Sequence, residues 1–314
     1  MGKFDVLKEI ERLDSRAGLP AYPSYLSFGY EFCWDSTRAL ELALYRTYCV
    51  PSISGLLDLT GEFVRRPQRR YDDTAILIAE MCKWGYEHGR GKEALERVNW
   101  IHSHFSISNN DFLYVLSTFI YEPIRWIDRF GWRPTCHNEK LGYYYFWRAV
   151  GTRMGIRDIP PTFEVFEQWA RAYERSTFRY TPTNRNIGTA TRDLFAAWYP
   201  RPLAPVVRFA IYALLDETML DAFRFPHPHP ATRRLITGIL KLRGRIVRWL
   251  PTRRRTNFFV DRPNRTYLSG YTLDSLGPPK MVETEKRCRL EPYCQSREAI
   301  DMRVHTALDV VAME

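Results

Sequence analysis

Residues 97–127, RVNWIHSHFSISNNDFLYVLSTFIYEPIRWI, set both the fold class and the chemical question of this chain. The second half carries apolar residues at helical spacing behind SNND, whose Asn and Asp side chains can cap a helix by accepting from its first free amides. The first half reads as the end of the preceding helix. It places His102 and His104 among aromatic and polar residues, where neither has an evident reason to be.

Outward from this pair of helices the same periodicity recurs and strand patterns are almost absent, so the fold class is all-α with little or no β structure. The spacing predicts helices over 4–13, 35–46, 50–59, 72–88, 90–104, 109–129, 137–154, 162–178, 186–197, 205–221 and 230–249. Pro51 suits a first helical turn, and GRG at 89–91 separates two helices. GIRDIPPT, 155–162, ends another because a Pro pair cannot continue it, and Thr162 caps its successor. Beyond about 255 the pattern fades into TNFFVDRPNRTYLSGYTLDSLGPPK and a charged tail. The expected organisation is a single helical domain over 1–255, with an irregular wrapping segment over 256–314.

A chain of 314 residues has interior enough to enclose a cofactor without help from disulfides. Its 15% aromatic content argues for large rigid side chains around a core or pocket. Cys33, Cys49, Cys82, Cys136, Cys288 and Cys294 are scattered with no CxxC pair, which fits a reducing compartment and a cytoplasmic location. The N-terminus MGKFDVLKEIERLDSRAG lacks the apolar stretch of a secretory signal, and Val6 breaks the myristoylation pattern. Arg208, Asp216, Glu217 and Asp221 interrupt the most apolar window, 205–223, so any membrane contact is expected to be peripheral.

The net charge of +10 is unevenly spread. RRLITGILKLRGRIVRWLPTRRR, 233–255, interleaves nine Arg or Lys residues with Leu, Ile, Val and Trp. Three readings stand, in descending order: a solvated helix face with snorkelling arginines, an amphipathic helix resting on anionic lipid, and a nucleic-acid contact. No nucleic-acid partner is expected.

Candidate chemistry gathers on two helices. Arg70 and Thr74 are four apart and share a face with Leu77, Ile78 and Met81, putting a cation and a hydroxyl at the end of an apolar stripe. The alternative pairs Arg70 with Asp73 or Glu80 at the surface and turns Thr74 back on its own helix. His102 shares a face with Val98, Ile101 and Phe105, so its ring points inward, whereas His104 points well round the helix. A zinc site from both would need a break there, and His88 and Asp111 complete no recognised ligand spacing. A buried structural histidine, an axial haem ligand, and another metal or catalytic role all remain open for His102. Glu31 and Asp35 read as cap and ion-pair residues before acid–base pairs, and His227 and His229 of FPHPHP as a packed connector. GxGxxG, P-loop, GxSxG and CxxCH patterns are absent.

Three ordered blocks then carry a family likeness: RRYDDTAILIAEM (69–81), RVNWIHSHFSISNNDFLYVLSTFIYEPIRWIDRFGWR (97–133) and YYYFWRAVGTRMGIRDIPPT (143–162). The chain resembles the MpaB-like oxygenases, in the superfamily that also contains the latex-clearing rubber oxygenases. The resemblance implies a globin-reminiscent helical domain holding non-covalent haem b, which uses O₂ to cleave a C=C bond of an isoprenoid-type, apolar substrate. It implies His102 as the axial iron ligand, within an Arg-Val-x-x-x-His motif formed by Arg97, Val98 and His102, with Arg97 among the cofactor-binding residues. It also implies Arg70 and Thr74 as the Arg-x-x-x-Thr pair of the haem pocket, with His104 off the axial position. A haem peroxidase or monooxygenase-like enzyme, and a non-catalytic haem-binding protein at a membrane, are the alternatives. On the leading reading the basic segment gains a use, since a lipid-soluble substrate would be met at a membrane surface.

Overall fold

The computed structural model describes residues 4–13, 25–251, 253 and 255–290. Cys294 and Arg254 lie outside these residues, and so do the first residues of the chain. In order come α1 (Asp5–Arg12), a π-helical turn at Ser27–Glu31, α2 (Cys33–Tyr48), α3 (Pro51–Thr60), α4 (Glu62–Arg65), α5 (Pro67–Trp84) and α6 (Gly89–His102). They are followed by α7 (Asn109–Phe130), α8 (His137–Arg153), α9 (Phe163–Thr177), α10 (Pro182–Ala197), α11 (Ala204–Leu214), α12 (Glu217–Phe223), α13 (Pro230–Trp249) and α14 (Pro279–Leu290). The described residues contain no strand, and the architecture is all-α.

The organising helix is α7. Ser108, rather than the Asn or Asp residues after it, provides the cap, its hydroxyl accepting from the Asp111 amide at 3.1 Å. Buried residues recur all around the helix, from Leu113 and Tyr114 to Ile127 and Phe130, because helices cover it on several sides: α2, α8, α9 and α13 pack against it. Helices α5 and α6 form an adjacent hairpin, and α10 leans on α3, α11 and α12. One apolar core joins α5–α9, a second joins α2, α4 and α10–α12, and a smaller one seats α13 over Phe32, Trp126 and Phe130. At that last crossing a Cβ on Gly244 would stand 2.6 Å from the Phe130 carbonyl oxygen, so only glycine lets α13 lie this close.

Several boundaries differ from the sequence expectation, each for a local reason. The turn before α6 is Gly85–His88, and GRG at 89–91 begins the helix rather than separating two. The window 205–221 divides at Leu215, where Asp216 takes an extended conformation and caps α12 through the Met219 amide at 2.9 Å. Pro51 and Thr162 stand where expected, at the first turn of α3 and the cap of α9.

The segment after 255 is not wholly irregular, since its described residues include α14. Before that it runs along α5 and satisfies its acidic residues one by one. The Thr266 amide donates to Asp72 at 2.9 Å, the Tyr267 hydroxyl and the Gly277 amide donate to Asp73, and the Tyr271 hydroxyl donates to Glu80 at 2.7 Å. Gly29 allows the segment to dock on the π-helical turn, since a Cβ there would meet the Phe258 ring at 2.6 Å.

Candidate functional site

The apolar faces of α5 and α6 converge on one cavity of about 540 Å³. Arg70, Thr74, Leu77, Ile78 and Met81 reach it from α5, while Val98, Ile101 and His102 reach it from α6, with Phe105 just beyond. Its size falls in the range of roughly 300–1,000 Å³ usual for cofactor and ligand sites. A smaller apolar cavity, lined by Phe28 and Phe258 among others, has the wall residues Leu44, Thr74, Ile78 and Phe119 in common with it. Pro123 inside α7 leaves the carbonyl of Phe119 without its helical donor beside this shared wall.

His102 closes α6, and its ring meets Phe112 edge-on at a centroid distance of 5.3 Å. Burial, and secondarily the positive charge of Arg70, push its pKa down from 6.5 to about 4. The imidazole is therefore neutral near pH 7, the form that can offer a lone pair to a metal. Its Nδ1 is sealed from solvent with no hydrogen-bond partner among the described residues. The second-sphere acceptor that commonly orients a ligating histidine is thus missing at Nδ1.

Arg70 has no carboxylate partner among the described residues. Asp73 and Glu80, its alternative partners by sequence, are occupied by Tyr267, Gly277, Arg90 and Tyr271. Arg70 instead lies over the Phe63 ring at 5.2 Å and donates from Nη1 to Thr74 Oγ1. Thr74 donates in turn to the Arg70 carbonyl at 3.2 Å, so the back-bonded alternative for the threonine is realised as well. The cavity therefore holds a cation that forms no ion pair with a described residue, although its charge reaches the neighbouring Asp73 carboxyl. Asp73 also lines it, and burial, partly offset by the Tyr267 hydrogen bond, raises that carboxyl's pKa.

The structure separates Arg97 from this group. Arg97 is absent from the cavity wall; its Nε donates to the Leu276 carbonyl at 2.9 Å, its Nη1 pairs with Glu285 at 2.6 Å, and its guanidinium lies 4.0 Å from the Trp100 ring centroid. The expected cofactor-binding arginine is directed at the 276–285 segment instead. His104 also turns away, donating from Nδ1 to the Trp100 carbonyl at 2.7 Å. His88 stands at the exposed start of α6, whereas Asp111 lines the cavity and accepts from Ser52 and Tyr173. Among the described residues no three His, Cys, Asp or Glu side chains converge as a metal-ligand set. Glu31 pairs with Arg133, and Asp35 with Arg243 at 2.7 Å, so both carboxylates serve ion pairs.

The sequence reading missed the far wall, built from Thr47, Tyr48 and Ser52 of α2 and α3 and from Trp147 of α8. Trp147 lies within one of the three family-like blocks, which was the available signal; α2 and α3 offered none.

The family described as "ER-bound oxygenase mpaB/B'/Rubber oxygenase, catalytic domain" matches residues 43–250. The ER-bound oxygenase mpaB' of Penicillium brevicompactum is 29% identical over 240 residues, covering 70% of this chain and 56% of that protein. The ER-bound oxygenase mpaB of Penicillium roqueforti (strain FM164) is 34% identical over 215 residues, covering 62% of this chain and 72% of that protein. The mpaB of P. brevicompactum is 32% identical over 192 residues, covering 55% and 49%. The chain thus spans about half the length of two of these curated relatives. The matched region runs from α2 to the end of α13 and contains the whole α5–α6 hairpin with Arg70, Thr74 and His102, and the chain belongs to the ER-bound oxygenase mpaB/B'/rubber oxygenase catalytic-domain family.

Proposed function

We propose that the chain is a haem b-dependent oxygenase that uses O₂ to cleave a C=C bond of an apolar, isoprenoid-type substrate. The observation that carries the reading is a neutral histidine, His102, facing a largely apolar chamber that also holds Arg70, a cation without an ion-pair partner among the described residues. His102 would hold the iron, and Arg70 would meet an anionic group such as a propionate. Bound haem would supply a redox-active iron able to take up O₂.

The chain's own residues would do the rest. Phe105, Phe112, Phe119 and Trp147 keep water from the chamber and present an apolar wall to the substrate. Thr74 holds the Arg70 side chain at one place on that wall. The neighbouring apolar cavity behind Thr74 and Phe119 would take the remainder of an extended apolar chain. Adding both atoms of O₂ across one C=C bond to give two carbonyl groups balances without an external reductant, in keeping with the lack of a nicotinamide-binding motif in the sequence.

The test is to load the purified protein with haem, supply squalene as a polyene probe under ¹⁸O₂, and analyse products by mass spectrometry. Carbonyl fragments that each carry one labelled oxygen are expected. Turnover only with added peroxide would favour a peroxidase-like oxidant instead, and bound haem with no turnover a binding protein.

A further inference from the structure

We propose that the outward face of α13 is a docking surface for anionic lipid. Leu235, Ile239, Leu242, Ile246 and Trp249 recur at helical spacing, and each is more than half exposed, Trp249 to 87%. On a helical wheel they fall within an arc of about 80°, a continuous stripe along the helix. The opposite side is committed to the fold: Leu240 and Val247 join the core around Phe130, Gly244 abuts the Phe130 carbonyl, and Arg243 pairs with Asp35. The exposed stripe therefore has no partner among the described residues. Contiguous apolar surface of this kind commonly marks an interaction site.

Charge decides which partner. Arg234, Lys241, Arg245 and Arg248 line one flank of the stripe, all exposed, and none forms an ion pair with a described residue. The whole of α13 contains no acidic residue. A second copy packed helix against helix would bring no carboxylate on α13 to these cations, whereas an anionic membrane surface offers phosphates and carboxylates to the flank and acyl chains to the stripe. The neighbouring α11 leaves Val206 and Phe209 exposed too, also without an acidic residue in its span. No helix among the described residues is long and apolar enough to cross a membrane, so the contact drawn here is one of lying on the surface.

The experiment is co-sedimentation of the full chain with vesicles of phosphatidylcholine alone and of phosphatidylcholine with 30% phosphatidylserine, at low and high salt, with light scattering of the free protein. Two variants accompany it, Ile239→Glu with Leu242→Glu, and Arg245→Gln with Arg248→Gln. All four positions are exposed, and unchanged thermal unfolding of each variant would confirm an intact fold. The proposal expects binding to the phosphatidylserine vesicles that is weakened by salt and at least tenfold weaker in both variants. Absence of vesicle binding, binding unaffected by the variants, or a dimer dissolved by Ile239→Glu with Leu242→Glu would each overturn it. None of these readouts involves haem or turnover, so the result stands apart from the proposed oxygenase reaction.

Discussion

Arg70 and Thr74 are bonded to each other across one turn of α5. The guanidinium donates to the hydroxyl oxygen, and the hydroxyl proton goes to the Arg70 carbonyl. The threonine therefore has no free proton for a ligand, and its effect on the chamber is to hold the cation in place. The same cation lowers the pKa of His102, second in weight to burial.

Replacing Arg70 by Met removes that charge while keeping an apolar side chain against Phe63. The His102 pKa is expected to rise from about 4 yet to stay below 6.5, because burial remains. Histidine Cε1 resonances of the haem-free protein, followed by NMR against pH, would report it. An unchanged or lowered value would contradict the placement of Arg70.

The depressed pKa also makes stability depend on acid. Above pH 6.5 the ring is neutral in both folded and unfolded chains and contributes no pH dependence. As the pH falls from 6.5 toward 4 the unfolded chain takes up a proton that the folded chain refuses, so stability is lost across that window and levels off below it. The loss amounts to roughly 3.5 kcal/mol at most, from about 1.4 kcal/mol per pH unit. His102→Phe is expected to lose less stability between pH 7 and pH 4.5, as read from urea unfolding of the haem-free proteins. Identical losses in the two proteins would show that the ring is not desolvated.

Arg46 of α2 binds Glu122 of α7 at 3.0 Å, Glu174 of α9 at 2.8 Å and Asp216 at the cap of α12 at 2.5 Å. One partly buried guanidinium thus joins three helices, and its removal leaves carboxylates facing one another. Arg46→Met is expected to cost about 3–5 kcal/mol, as found when one partner of a buried ion pair is deleted. A shift in the urea midpoint corresponding to less than about 1 kcal/mol would mean that water screens the cluster.

Arg97→Met severs the contacts that α6 makes with the Leu276 carbonyl and Glu285. Faster amide hydrogen exchange over 272–287 is expected, with haem affinity changed far less than by His102→Ala. If haem affinity fell as steeply as in His102→Ala while exchange stayed the same, Arg97 would have to contact the cofactor directly.

The helices and the two faces that build the chamber were legible in sequence because they rest on local rules. Spacing put Arg70, Thr74, Leu77 and Met81 on one side of α5, Val98 and His102 on one side of α6, and Pro51 and Thr162 at helix starts. What was not legible depends on partners far along the chain. The direction of Arg97 is decided by Leu276 and Glu285, and the satisfaction of Asp72, Asp73 and Glu80 by a segment some 190–200 residues later. Helix α14 within that segment is charged and weakly patterned, with no clear helical period to read. The break at Leu215 was hidden because the apolar pattern continues on both sides of it, and only the cap geometry of Asp216 reveals it.

The central claim is that His102 holds a haem in the α5–α6 chamber. The most direct measurement is an absorption titration of haem into the wild-type and His102→Ala proteins, with pyridine haemochrome quantification. Saturation near one haem b per chain, and a Soret band that shifts or is lost in His102→Ala while the variant remains folded, is the predicted result. Failure of the wild-type protein to bind haem at a defined stoichiometry, or a Soret band identical in the two proteins, would contradict it.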